Sequence, residues 1–515
     1  MTSRRQAVKR DRPTGKLDWT APVAGWKSDV PLIDMPPTAA AQLDNFFPEE
    51  NWVRGRYGSA NWATGATGAV KTVIPYNGAT NKLFAANSGG IYDVTTKGAT
   101  FTAPVVSGFT NDYWSYAQLT TAGGYFLQIC NGVDTPQTYD GTSWTNSGWT
   151  GGPSPLSLLS VVHLYRSRLW FVQAGSSVIW YGTTDGETGA LTSLNIGDVL
   201  THGGSLVAIG TWTIPFLGSI IENIVFISDQ GEAVIYQGSD PSNSSNWSLL
   251  GTFMLGPPLG ADRCLFNTGA DLAVSTVYGV LPISQAVTLD PAASSQISLT
   301  KPILPSFLTE VQACASSPGW QLISFPLHHM IILNVPDPQQ TMQFVMNAET
   351  KAWCRFLGWP VYHFAIWEAQ LYAGTTDGRV ILCETGGNDN GASIVCQMTG
   401  AFSRQKDGFA WKVAGLIGGS YEASAGVQIG FGVSADYIPK TSVPTPSGAA
   451  GGLATWGTAI WGTSVWPGFS NVFRWSDGGA QGRALAPTVS AVVNGSTTEV
   501  RVLGGTIVFT SGETL

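Results

Sequence analysis

Residues Lys82–Thr95 read KLFAANSGGIYDVT. Leu83, Phe84, Ala85 and Ala86 form an apolar run. The Ser88-Gly89-Gly90 turn reverses the chain into a second run containing Ile91 and Tyr92. Such a hairpin sends successive residues to opposite faces, and here both faces are apolar. A single sheet cannot bury both. Sheets packed around an axis can, and the ring leaves few exposed edges.

The same shape recurs along the chain. YFLQICNGVDTPQTYDGTSW begins at Tyr125 and RLWFVQAGSSVIWYGTTD at Arg168. NIVFISDQGEAVIYQGSD begins at Asn223, DLAVSTVYGVLPIS at Asp271, MIILNVPDPQQTMQFVMNAETKAWCRF at Met330 and QLYAGTTDGRVILCET at Gln370. With Leu83, Phe126, Leu169, Val225, Leu272, Ile331 and Leu371 as anchors, the spacings are 43, 43, 56, 47, 59 and 40. Propeller repeats run about 40–50 residues, each a four-stranded blade. The pattern predicts an all-β chain built on a β-propeller of six to eight blades. A tandem of β-sandwiches or a β-solenoid would show the same hairpins. The spacings of 56 and 59 require insertions, with residues 240–260 and 285–320 as candidates projecting from one rim.

Composition agrees with short strands and tight turns. Only 12% of the 515 residues are charged, against about 25% in an average globular chain. There are 62 Gly and 20 Trp, with Gly well above its usual roughly 7%. The domain reading is a basic, disordered terminus over 1–16, an extended arm with short strands over 17–65, the propeller with inserted loops over 66–391 and a C-terminal β-rich module over 392–515. In that module GFAWKVAGLIGGS and AGVQIGFGVSADY alternate as strands, and VRVLGGTIVFTSGETL reads as a closing hairpin. Trp456, Trp461 and Trp466 lie five residues apart, so along a strand they would not form one stripe.

Net charge is −8 but uneven. Residues 1–16 hold six basic side chains and Asp11, giving +5; the remainder holds 20 basic and 33 acidic residues, giving −13. An acidic body argues against tight DNA binding, which needs clustered Lys and Arg, but is compatible with a wall that DNA slides past. No apolar run of about 18 residues suggests a membrane span, and no apolar segment follows the basic start as a secretory signal would. The six cysteines are scattered without a CxxC pair and read as buried, reduced thiols of a protein made in a cytoplasm.

No catalytic, cofactor-binding or metal-binding residues are expected. His328 and His329 are adjacent, so on a strand they would point apart. His163 and His202 have no nucleophile motif nearby, and GxSxG, HExxH and P-loop patterns are absent. Asp-Gly pairs at Asp185, Asp377, Asp407 and Asp477 read as hairpin turns, with too few carboxylates for calcium loops. TTDGETGAL around Asp185 is only loosely like the Asp-box of propeller glycosidases. A propeller enzyme or lectin acting on host-surface glycans is the alternative reading. WD and Kelch signatures of cellular scaffolds are absent.

Residues Gly25–Gly65 contain a Pro-Pro-x-Ala-Ala-Ala run, then Asp44-Asn45-Phe46-Phe47-Pro48, then Arg54-Gly55 with Tyr57-Gly58. The stretch resembles the opening of the tail nozzle proteins of short-tailed bacteriophages, also called tail tubular protein B and similar to packaged-DNA stabilisation (hub) proteins. LGPPLGADRCLFNTGADLAVSTVYGVLPIS from Leu255, ALAPTVS from Ala484 and GGTIVFTSGETL from Gly504 extend the resemblance to the middle and end of the chain. The Trp-rich stretch 455–469 and the insertion 285–320 have no counterpart. The resemblance implies a structural virion protein: a hexameric ring at the distal end of a short tail, with a β-propeller body. Its channel retains packaged DNA and conducts it outward during ejection, without sequence readout. It also implies contact with a head-to-tail adaptor or portal ring above and with fibres or a tip protein below.

Overall fold

The structure is a computed structural model that describes residues 14–439 and 470–512, apart from 217–218, 270, 289, 406–407, 425–426 and 496–498. The chain divides into two units, described in turn: residues 59–349 with 357–385, and residues up to 58 with 350–356 and 386 onward.

The first unit is a seven-bladed propeller. Thr72–Tyr76, Lys82–Asn87, Gly90–Asp93 and Val106–Ser107 make blade 1. Blade 2 runs from Ser115 to Asn146, blade 3 from Leu159 to Asn195 and blade 4 from Leu206 to Met254, four antiparallel strands each. Blade 5 has three strands, Leu265–Asn267, Leu272–Thr276 and Gly279–Pro282. Blade 6 contributes Gln321–Phe325, Met330–Val335 and Met342–Asn347 to this unit. Blade 7 combines Val361–Trp367, Gln370–Thr375 and Val380–Cys383 with Ser59–Thr64 from the start of the unit. That last pairing joins the two ends of the repeat. The first strand of blade 7 packs beside the first strands of blades 1 and 6, which closes the ring.

All seven anchors read from the sequence fall on the second strand of their blades. The period-two pattern decides the packing. In blade 1, Val73, Leu83 and Ala85 face the blade 7 residues Trp367 and Tyr372, whereas Ile74, Phe84 and Ala86 face Trp114 and Leu127 of blade 2. In blade 4, Ile224, Phe226, Val234 and Tyr236 face blade 3, whereas Val225, Ile227, Ala233 and Ile235 face blade 5. Aromatic rings fill the wide outer part of a wedge: Trp247 stacks between Trp170 and Tyr236 at centroid distances of 5.4 and 4.9 Å.

The insertions differ from the sequence reading. Trp247–Met254 is the fourth strand of blade 4, so 240–260 is not a projecting loop. The 56-residue spacing instead reflects a long hairpin, Leu206–Phe216 with Ser219–Ser228. Residues 285–320 carry the helices Ser294–Ile297 and Leu304–Cys314. Ile283, Ala286 and Ile297 pack into the cluster between blades 4 and 5. This segment is therefore helical, and its apolar side chains hold it against the blade.

In the second unit the strand Thr14–Thr20 pairs with Val500–Ser511, which pairs in turn with Lys412–Ala423 and that with Ser470–Gly482. A second sheet orders Ala40–Asp44, Ala392–Gly400, Leu485–Val493 and Gln428–Ala435. The strand order thus begins inside the stretch read as a disordered terminus; residues 1–13, Trp456, Trp461 and Trp466 lie outside the described residues. Residues 17–65 carry short strands. They supply strands to this unit and, through Ser59–Thr64, to blade 7. Val500–Ser511 is one continuous strand and not a hairpin. Its Gly504-Gly505 pair is a close approach, because a Cβ on Gly505 would sit 1.9 Å from the Gly418 carbonyl oxygen. Asp477-Gly478 likewise lies inside a strand opposite an irregularity at Ala414/Leu416, whereas Asp377-Gly378 is a hairpin turn.

If the wedges between blades carry the fold, truncating a ring that fills one should be costly. Phe226→Ala is expected to lower stability by about 3–5 kcal/mol, read as a shift in the urea midpoint by tryptophan fluorescence. Substituting the exposed Ser248 by Ala should change it by less than about 0.5 kcal/mol.

Candidate functional site

The first strand of every blade runs along the propeller axis, where seven chains meet at their narrowest. Side chains from blades 2 to 7 line an axial cavity of about 260 Å³, including Ser115, Tyr116, His163, Asp262, Arg263 and His363. A volume of this size holds several waters at about 30 Å³ each.

Arg263 dominates the cluster. Gly260, with φ +92°, turns the chain into a short helical turn, Ala261–Cys264, ahead of blade 5. That turn aims Arg263 across the axis. Its guanidinium lies 3.6 Å from the centroid of the Tyr113 ring and donates to the Lys71 carbonyl oxygen at 3.2 Å and Thr72 Oγ1 at 2.9 Å. One side chain thereby ties blade 5 to blade 1 and to the entry of blade 2. The Tyr113 hydroxyl donates to Asp262 Oδ1 at 2.9 Å and lies 3.0 Å from the Gly260 carbonyl oxygen.

Burial sets the protonation states. It pushes the Asp262 carboxyl up, against the pull of Arg263 and the hydrogen bonds from Tyr113 and Ser115. The Tyr116 phenol is pushed up to about 12, also by burial. Burial holds His163 down at about 4. His363 is held well below its usual value by burial and then by Arg263. The Val73 N–H donates to His363 Nδ1 at 3.1 Å, so the neutral ring carries its proton on Nε2. His163 Nε2 contacts Thr211 Oγ1 at 2.9 Å. Gln321 closes a pair of hydrogen bonds with the backbone of Phe364, 2.6 and 2.9 Å long. These groups fasten neighbouring blades to each other. The arrangement is a polar plug.

The other histidines are separate from it. His328 Nδ1 meets Glu384 Oε2 at 2.9 Å, and His329 Nδ1 meets Glu349 Oε1 at 3.3 Å, so the adjacent pair serves two different carboxylates. Buried Glu232 accepts from the Thr201 and His202 N–H groups and contacts His202 Nδ1. Among the described residues no group of three or more His, Cys, Asp or Glu is placed to hold a metal ion. All six cysteines are buried and free. Asp262, Arg263, Tyr113 and His363 escaped the sequence reading. They come from three blades, and no local spacing marks them; the left-handed Gly260 before Asp262-Arg263 is the one local sign.

The motif residues of the second unit form a second polar centre, in which Asp44 and Arg56 are buried and their partners Arg355 and Asp389 are half-buried. Asp44 receives two hydrogen bonds from Arg355, at 2.6 and 2.9 Å. Asn45, at φ +55°, accepts from Arg56 Nε at 2.8 Å and donates to the Val395 carbonyl oxygen. Arg56 also grips Asp389 with both terminal nitrogens, at 2.6 and 3.1 Å. Arg54 pairs with Glu49 and lies over the rings of Phe47 and Tyr57. Gly58 is required, because a Cβ there would sit 1.9 Å from the Asn388 carbonyl oxygen.

No protein-family model matches the chain, and no curated protein is similar to it in sequence. Solved structures similar to it are β-propellers or contain them. The crystal structure of BBS1N in complex with ARL6DN is 12% identical, with 64% of this chain and 97% of that one covered at a TM-score of 0.39. The Cps50 (Swd1) β-propeller domain of Myceliophteria thermophila is 11% identical, with 64% and 100% covered at 0.40. Sqt1 of Saccharomyces cerevisiae is 10% identical, with 65% and 99% covered at 0.30. At such values the likeness says nothing of function. The chain is a β-propeller protein by its own strand pairing.

Two expectations follow from the plug. Arg263→Met should destabilise the propeller by about 3 kcal/mol, because Asp262 loses its buried countercharge and blade 5 loses its ties; denaturant titration reads this. Acidification from about pH 6.5 to about pH 4 should cost stability. The unfolded chain protonates His163 near 6.5, and the folded one does so only near 4. The stabilising difference is present above 6.5 and is lost across that window. Asp262 acts in the opposite direction, since its raised carboxyl takes a proton in the folded state first. Comparing the wild-type and His163→Gln curves isolates the histidine. The variant should be flatter by about 3 kcal/mol.

Proposed function

We propose that the chain is a structural subunit of a short phage tail. In this reading it forms a hexameric nozzle at the distal end that retains packaged DNA and conducts it out during ejection. The observation that carries the reading is the ordered run of motifs, Asp44–Pro48 with Arg54–Gly58, then Leu255–Ser284, then Ala484–Ser490 with Gly504–Leu515. Their described parts have structural work to do. The first set builds the ionic centre of the second unit. The middle stretch supplies Asp262 and Arg263 to the axis and all three strands of blade 5.

The plug supports one element of the reading. A duplex whose major groove alone is about 12 Å wide cannot pass an axis crossed by Arg263 and holding a cavity of about 260 Å³. A conduit made by this protein therefore lies between copies, around an assembly axis. A lumen of that kind must not hold phosphates, and the −13 balance of residues 17–515 has the required sign. An adaptor or portal ring above the nozzle, and fibres or a tip protein below it, complete the proposed assembly, which is built in the host cytoplasm and resides in the virion tail.

The test is imaging of purified virions carrying a labelled copy of this subunit. Label at the distal end of the tail, in six-fold projection, is the expected result. Label on the capsid, or none in the particles, rejects the proposal.

A further inference from the structure

The sheet of the second unit ends differently at its two sides. On one side Val500–Ser511 pairs with Val53–Gly55 and also with Thr14–Thr20, and among the described residues Thr14–Thr20 has no second strand partner. Its other edge borders a groove of about 590 Å³. Four consecutive residues, Leu17 to Thr20, line that groove, as happens when a strand is seen edge-on. Ile33, Met35, Phe402 and Pro487 make the rest of the wall apolar, and Arg404 stands at it with its Nε on the Tyr437 hydroxyl. Ile33 is 43% exposed.

At the other side, among the described residues, the sheet ends on Ser470–Gly482. Phe473 and Trp475 project from one face of this strand, 51% and 47% exposed, with their rings 5.3 Å apart over Gly418. Leu416, 47% exposed, pairs with Asp477 in the next register and extends the ridge. Monomers seldom leave such a contiguous aromatic and aliphatic ridge in water. One opposite charge is available on each surface: Arg404 at the groove, and on the ridge side Asp477, which alternates onto the same face as Phe473 and Trp475.

We propose that the Phe473–Trp475 ridge of one copy docks into the groove beside Thr14–Thr20 of a second copy, with Asp477 against Arg404. The inference rests on the ring reading above for its partner being the same chain. Ridge and groove are distinct surfaces, so the contact is heterologous and repeats from copy to copy until a ring closes. An unlike protein seated in the groove would leave the isolated chain monomeric.

Sedimentation velocity on the full-length chain tests this with two variants, Phe473→Ser/Trp475→Ser on the ridge and Ile33→Glu/Arg404→Glu at the groove. The wild type is expected to assemble beyond a dimer. Each variant alone should be monomeric, and an equimolar mixture should give heterodimers and nothing larger, because each copy retains one working surface. A groove variant that assembles like the wild type, or a wild type that stays monomeric at its highest soluble concentration, overturns the proposal. Should either double variant fail to fold, Asp477→Arg and Arg404→Asp decide the matter. Each alone should weaken association about tenfold or more, and together they should restore it; absence of rescue overturns the pairing. A chain that assembles in this way but is missing from the tail sinks the tail reading and leaves the interface standing. A tail subunit whose groove variant assembles normally does the reverse.

Discussion

A blade with two apolar faces has no stable existence alone, and that constraint organises the larger unit. Leu83 and Phe84 are neighbours in sequence yet belong to different wedges. Removing either neighbouring blade would expose half of this one. The ring must therefore close, and it closes by pairing Ser59–Thr64 with Val380–Cys383, residues more than 300 positions apart. Closure brings the first strands together at the axis, around a cavity of about 260 Å³. Every polar group there needs a protein partner or a place in the small cavity. Arg263, His363 and Gln321 answer that need, and the plug is a consequence of closure.

The second unit is organised by charge. Asp44 and Arg355 are 311 positions apart, Arg56 and Asp389 are 333 apart, and both pairs are joined by paired, short hydrogen bonds. Leaving one member of a buried pair alone is far more costly than the pair is stabilising. These contacts therefore specify which segments meet. They also explain why residues Thr350–Phe356, in the middle of the propeller sequence, belong to this unit: Arg355 is held by Asp44, and the Trp353 carbonyl accepts the Trp26 N–H.

What was legible in the sequence follows from how local its cause is. Hairpin period and spacing are local, so all seven anchors landed on equivalent strands. Glycine misled where its reason was distant. Gly504-Gly505 looks like a turn, but the pair is small because Trp19 and Gly418 approach it from neighbouring strands. The helices of 294–314 were hidden in a Pro- and Ser-rich stretch whose apolar residues are spaced for packing on blade 5 and not for a strand. The axial cluster was invisible for the same reason that it is stable: its members are gathered from three blades by closure. The motif residues were recognisable, but their role was not, because Arg355 and Asp389 lie far along the chain.

A closed propeller uses its face area internally, and the outer strands of blades 1 and 2 are short, Val106–Ser107 and Trp144–Asn146, whereas Trp247–Met254 of blade 4 is longer. Short edges recruit other chains poorly. The second unit offers its sheet as well, which among the described residues is unpaired beyond Ser470–Gly482 and along one edge of Thr14–Thr20. In the proposed tail reading a plugged axis makes a related demand, since a conduit would then have to be enclosed by several copies. Identical patches meeting face to face stop at two copies. Only unlike patches carry a sequence of contacts around a closed path. A sheet that ends in a groove beside Trp19 and in a ridge at Trp475 supplies two unlike patches on one rigid element. In the proposed ring, the angle between successive copies would be set by the twist and width of that sheet, a property of the fold and not of flexible side chains.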